Sequence, residues 1–149
     1  MSYTRLLYHL VFRTKYNIPS IVIPCENDLY KYIWGFIKNK QSILYRIGGM
    51  PDHLHLLVEL SAKIALANFM CELKCSSAKW LKKNKNFPDF CGWGEGYAAF
   101  TYSLHDKNTI VNYIMKQKEH HSQVSMAEEL RMLLAEHGCE VKEDYFMKD

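Results

Sequence analysis

Hydrophobic and polar positions divide the chain into segments of two periods. From Thr4 to Lys15 the residues are rich in β-formers, with Leu6, Tyr8, Leu10 and Phe12 on one parity and Leu7, His9, Val11 and Arg13 on the other. Both parities are largely apolar, which predicts a strand buried on both faces. After the Ile18-Pro19 and Ile23-Pro24 breaks, Leu29, Ile33, Phe36 and Ile37 recur at helical spacing and predict a first helix from about Glu26 to Lys40. Ile43 to Ile47 and His53 to Leu60 read as two strands joined in a hairpin through the turn signal Gly48-Gly49-Met50-Pro51.

A second helix is marked by Leu66, Phe69, Met70, Leu73, Ser77, Trp80 and Leu81 on one stripe, with lysines at 74, 79, 82 and 83 around it. Asn84 to Asn86 and Pro88 end it, and Tyr97 to Ser103 read as a last strand. Lys107 to His121 is expected to be helical. Ser125 with Glu128 forms a capping-box signature ahead of Met126, Leu130, Leu133 and Leu134. The order βαββαβ plus two helices predicts an α+β fold of one domain over 1–149, with helices on one sheet face and a C-terminal helix and tail near 125–149.

Composition changes this picture little. A chain of 149 residues suits one core, and 48% hydrophobic with 13% aromatic residues is ordinary for a globular protein. A formal charge of +3 permits a nucleic-acid partner without requiring one. Cys25, Cys71, Cys75, Cys91 and Cys139 form neither a CxxC pair nor a disulfide framework, so free thiols in a reducing cytoplasm are expected. Cys71 and Cys75, four apart on the second helix, read as packing. The N-terminus lacks a signal-peptide pattern, and no apolar run approaches the ~20 residues that span a bilayer.

Two short stretches can carry chemistry. In Pro51-Asp52-His53-Leu54-His55-Leu56-Leu57-Val58, strand alternation points His53 and His55 the same way, with Leu54, Leu56 and Val58 toward the core. Two imidazoles so placed can converge on one cation, although two hydrogen-bonded surface rings fit the same spacing. On a helix over 107–121, Tyr113, Gln117 and His120 share a stripe, beside an apolar one of Ile110, Val111, Ile114 and Met115.

Taken together, Tyr8-His9-Leu10-Val11-Phe12, then Gly49-Met50-Pro51-Asp52-His53-Leu54-His55-Leu56-Leu57, then Trp93 with Gly96-Tyr97, and finally Tyr113-Ile114 with Gln117 and His120-His121 resemble the single-tyrosine HUH transposases of small bacterial insertion sequences. The resemblance runs from about Tyr3 to Tyr145 without departure at these motifs. It implies a ferredoxin-like or RRM-like antiparallel sheet with added C-terminal helices, His53, His55 and Gln117 as metal ligands, and Tyr113 as nucleophile. It also implies Mg²⁺ or Mn²⁺ as cofactor, single-stranded DNA with hairpin ends as substrate, and a homodimer in which one subunit's tyrosine helix completes the other's histidine site.

In that fold the first strand neighbours the histidine strand, so Arg13 and Lys15, on the parity of His9, are candidates for phosphate contacts; a solvated strand end fits equally. Neutral ligands leave a divalent ion its full charge for polarising a phosphate. A phenol with a pKa near 10 needs a cation or a base, for which Asp52 and His120 are candidates, although Asp52 belongs to the opposite strand face from His53. Cleavage through a 5′-phosphotyrosine keeps the phosphodiester energy, and the chain has no P-loop. A catalytically silent single-strand-binding module and a water-activating His-x-His hydrolase are the alternatives; neither needs the Tyr113 and Gln117 pair.

Overall fold

The computed structural model describes residues 1–121, 123–143 and 146–148, so Tyr145, the far end of the resemblance, lies outside the described residues. Strand β1 (Leu7–Arg13) is followed by α1 (Glu26–Asn39), β2 (Ile43–Met50), β3 (His53–Glu59), α2 (Leu66–Lys83) and β4 (Ala98–Tyr102). Then come α3 (Lys107–Met115), the single turn α4 (Gln117–His120) and α5 (Met126–Glu136). The sheet order is β2-β3-β1-β4 with every neighbouring pair antiparallel, as the βαββαβ reading expects. β1 and β3 are the central strands, in a register that sets Val11 opposite His55 and Arg13 opposite His53.

One sheet face is a hydrocarbon core. Leu10 and Phe12 of β1 and Leu54, Leu56 and Val58 of β3 pack against Leu29, Ile33 and Ile37 of α1 and Phe69, Met70 and Leu73 of α2. These positions are the 3.6-residue and two-residue periods made physical. The other face is also covered, contrary to the expectation of helices on one side. Leu7, Val11 and Leu57 point that way, and Ile110 and Ile114 of α3 cluster with Leu7 and Leu57, while Met126 and Leu133 of α5 cluster with Val11 and Phe100. Met115, expected in the anchoring stripe, is exposed.

Several boundaries move for identifiable reasons. β1 stops at Arg13, and Lys15 falls in a tight turn with Tyr16 and Asn17 at positive φ, off the strand parity assigned to it. β2 runs on through Gly48 and Gly49 to Met50, leaving only Pro51-Asp52 as the hairpin turn. The glycines serve close approach instead of a turn: a Cβ on Gly48 would lie 2.7 Å from the Ile114 carbonyl oxygen of α3. The expected single helix over 107–121 breaks at Lys116. The Ser125 cap forms as expected, its hydroxyl accepting from the Glu128 N–H. Cys71 and Cys75 are exposed thiols on α2 and do not pack.

Candidate active site

His53 and His55 are wholly buried on the sheet face covered by α3, α4 and α5. The Nδ1 of His53 lies 2.7 Å from the Asp52 carboxylate, which fixes the ring and turns its Nε2 to within 3.3 Å of the Gln117 Oε1. The Nδ1 of His55 lies 2.8 Å from the Nε2 of His9, a second buried ring one strand over. His121, just beyond α4, holds the Val124 carbonyl with Nδ1 and presents Nε2 inward. Each inward-facing imidazole therefore has its other nitrogen engaged, the outer contact that orients metal-binding histidines.

The centre of the group is Glu129, a carboxylate 1% exposed on α5. Its Oε1 lies 2.9 Å from the Nε2 of both His55 and His121 and 3.5 Å from that of His53. Its Oε2 accepts from the Gln117 amide at 3.0 Å and from the Tyr113 hydroxyl. Ligand atoms of His53, His55, His121 and Glu129 all lie within 4.8 Å of one another, so these residues fit a divalent cation, with three nitrogen donors and one oxygen donor in reach.

Electrostatics follow from this packing. Burial alone would lower His53, but its bonds to Asp52 and Glu129 outweigh that and raise its pKa to about 9. For His55 burial wins, and its pKa falls to about 4 despite Glu129. Burial and the neighbouring His55 hold His9 well below the usual histidine range. Glu129 would be raised by burial, yet hydrogen bonds from His121, His53 and His55 hold it far below the usual carboxylate range. Tyr113 is raised well above an ordinary phenol, by burial first and by the Glu129 carboxylate second. In this arrangement the phenol is held protonated.

Four of the residues singled out in the sequence, His53, His55, Tyr113 and Gln117, meet here within one chain. Tyr113 and Gln117 reach the histidines of their own chain through Glu129. Asp52, read as facing away from His53, instead curls back at the strand start to bond it. His120 stands beside Tyr113, with ring centroids 5.6 Å apart. Its buried Nε2 makes no hydrogen bond among the described residues and lies 3.4 Å from the Glu129 Oε2.

Arg13 and Lys15 are not at this centre. Arg13 is 6% exposed and its guanidinium holds the Asn17 side chain, the Thr14 carbonyl and the Lys148 carbonyl of the C-terminal segment. Lys15 lies over the Tyr16 ring, 5.4 Å from its centroid. Sequence reasoning missed Glu129, His121 and the link through His9. Glu129 gives no local signal, since one carboxylate in an amphipathic helix looks like a solvated residue. His9 and His121 were visible only as parts of a family pattern, without a role.

The fold and site together define a ferredoxin-like α+β protein with a buried histidine-rich group that fits a cation and a phenol at its edge. A family model described as "Transposase IS200 like" matches residues 2–117, and the chain belongs to that family. It is therefore a transposase-class, DNA-processing protein. Among solved structures it is similar to a candidate transposase from Deinococcus radiodurans R1, with 27% identity, a TM-score of 0.58, and coverage of 78% of this chain and 93% of the other. It also shares the fold of a REP-associated tyrosine transposase bound to a REP hairpin, with 14% identity, a TM-score of 0.62, and coverage of 83% of this chain and 73% of the other. No curated protein matches the chain. No helix of the described residues is long and apolar enough to cross a membrane.

Proposed function

We propose that this protein cleaves and rejoins single-stranded DNA at the ends of a mobile element through a 5′-phosphotyrosine on Tyr113. The observation that carries this reading is the meeting of Tyr113, Gln117, His53 and His55 around one carboxylate within one chain. His53, His55 and Gln117 are assigned as the ligands of Mg²⁺ or Mn²⁺, with His121 and Glu129 in reach of the same ion. Nitrogen donors favour Mn²⁺, and the phosphate oxygens of the substrate favour Mg²⁺. When bound, the ion polarises the scissile phosphate as a Lewis acid.

The chain's own residues supply the rest. In the resting arrangement Glu129 keeps the phenol protonated, so the scissile phosphate has to take the place of that carboxylate beside Tyr113. The phenol oxygen then bonds to phosphorus, the P–O3′ bond breaks, and the 3′ oxygen leaves as a free hydroxyl protonated from solvent. His120, next to the phenol, is assigned as acceptor of the phenolic proton. A 3′-hydroxyl attacking the phosphotyrosine reverses the step and rejoins DNA, with no nucleoside triphosphate needed. Hairpin recognition is proposed from the likeness to the REP-associated relative. Each chain carries a complete site in this reading, whether or not two copies pair as a homodimer.

A labelled single-stranded hairpin incubated with Mg²⁺ is expected to give a covalent protein adduct on a denaturing gel. Tyr113→Phe is expected to abolish the adduct while hairpin binding persists. An adduct that survives Tyr113→Phe overturns the nucleophile. Cleavage without any adduct shifts the reading to a water-activated hydrolase.

A further inference from the structure

Away from the histidine group, the solvent side of α1 carries Lys31, Trp34 and Lys38 at i, i+3 and i+7, one stripe of the helix opposite its core residues Leu29, Ile33 and Ile37. Lys31 and Trp34 form one wall of an open cleft of about 710 Å³. Its floor is β2 at Arg46, its far wall is Met115 and Lys118, and it borders the buried Gln117, a short run of residues from Tyr113 on the other side of α3. β2 is an edge strand, so the cleft is open along its length.

Two features of this cleft are unusual for a solvated surface. Trp34 is 51% exposed and Met115 54%, large apolar groups on opposite walls. The charges in the lining are also unequal. Lys31, Arg46 and Lys118 face a single carboxylate, Glu26, which is paired with Lys118 at 2.9 Å. Among the described residues Lys31 and Arg46 make no ion pair. A further cation, Lys38, sits with its Nζ 4.9 Å from the Trp34 ring centroid. An exposed indole beside surplus cations in an open trough is the pairing that binds unpaired nucleotides, with bases on the aromatic face and phosphates on the cations.

We propose that this cleft carries the single-stranded DNA that leads to the scissile phosphate, with a base stacked on Trp34 and its backbone held by Arg46 and Lys31. The inference rests on the functional reading above and adds the path of the strand. Within a duplex the base faces are covered by their neighbours, leaving only the terminal pairs to stack on Trp34, and the positive surplus selects a polyanion over a neutral or basic peptide strand. α1, at 14 residues, is about 21 Å long, enough for a short run of nucleotides between its outer end and Gln117.

Fluorescence anisotropy with three oligonucleotides tests this: a hairpin bearing a single-stranded flank, the flank alone, and a blunt duplex. Trp34→Ala is expected to weaken binding of both flank-bearing DNAs by roughly five- to a hundredfold, and Trp34→Phe to restore most of it. Arg46→Ala is expected to weaken the same DNAs and to reduce the salt slope by about one. Blunt-duplex binding is expected to stay within about twofold. Thermal unfolding of each variant, all at exposed positions, confirms folding. Unchanged flank binding in both alanine variants overturns the cleft, and the adduct formed by wild-type protein in the same tubes shows that the function stands without it. Equal losses for duplex and flank also overturn it, reducing the cleft to a general basic patch. Wild-type protein that binds the flank through Trp34 but forms no adduct overturns the functional reading and supports the cleft.

Discussion

The two faces of the sheet are made from alternate residues of the same two central strands, yet they are held by different physics. On the α1/α2 face, Leu10, Phe12, Leu54, Leu56 and Val58 meet hydrocarbon on every side. Burial of that kind is non-directional and depends on area and volume. On the α3/α5 face, His9, His53 and His55 are just as buried, but each depends on a named partner: His53 on Asp52 and Gln117, His55 on His9 and Glu129. A polar group in such a place is costly unless bonded, so this face tolerates little rearrangement. One face stabilises the fold; the other spends that stability on keeping imidazoles and a phenol around one point.

The largest expected effect separates the two faces outright. Leu56→Ala, at a position with no exposed surface, is expected to cost about 2–5 kcal/mol in denaturant unfolding. Because Leu56 faces away from the histidines, Mn²⁺ affinity measured by calorimetry is expected to stay unchanged while the protein remains folded. A parallel loss of metal affinity would show that the faces are coupled through β3, and the division between them would not hold.

Glu129→Gln makes the reciprocal change. The amide keeps the shape but loses the charge that His53, His55 and His121 converge on, at an expected cost of about 1–3 kcal/mol in metal-free protein at pH 7. The carboxylate is depressed in the folded state relative to its ordinary value of 4.5. Its contribution is therefore present above that value and is lost as the pH falls below it. The deficit of the variant is accordingly expected to hold from pH 7 to about pH 5 and to shrink only as the pH falls below 4.5, with weaker stabilisation by Mn²⁺ throughout the neutral range. A deficit independent of pH would make Glu129 a packing residue only.

What was legible in the sequence follows the same division. The α1/α2 face could be read from period alone, because Leu29, Ile33 and Ile37 and the alternation of β3 report burial without reference to distant segments. The histidine pair was legible as a pair, since strand alternation by itself sends both rings one way. Tyr113 and Gln117 came with the family pattern, and the family model's match ends at residue 117. Glu129 lies beyond that match and 74 residues from His55; a directional bond over that separation leaves no periodic trace. Arg13 shows the limit of parity. Its parity was right, but a guanidinium on a strand end looks the same whether it meets DNA or, as here, the carbonyls of its own chain.

The smallest effects concern how α3 is seated on the polar face, and two glycines probe it. At Gly48 a methyl would stand 2.7 Å from the Ile114 carbonyl oxygen and 3.1 Å from its Cγ2, so α3 has to lift from β2 to admit it. Ile114 is flanked by Tyr113 and lies three residues before Gln117, so that shift moves nucleophile and ligand together. Gly48→Ala is expected to cost about 1–3 kcal/mol but to slow adduct formation more than its loss of stability explains, since misplacing reacting groups by a fraction of an ångström is felt in the rate. Gly35, inside α1 on the hydrocarbon side of the sheet, has ordinary helical φ, and a Cβ added there would meet no atom within 4 Å. Gly35→Ala is expected to stabilise the fold by about 0.5–1 kcal/mol with an unchanged adduct rate. Equal effects of the two substitutions on rate would mean that α3 rides on the sheet as a whole and that Gly48 has no special part in aiming Tyr113.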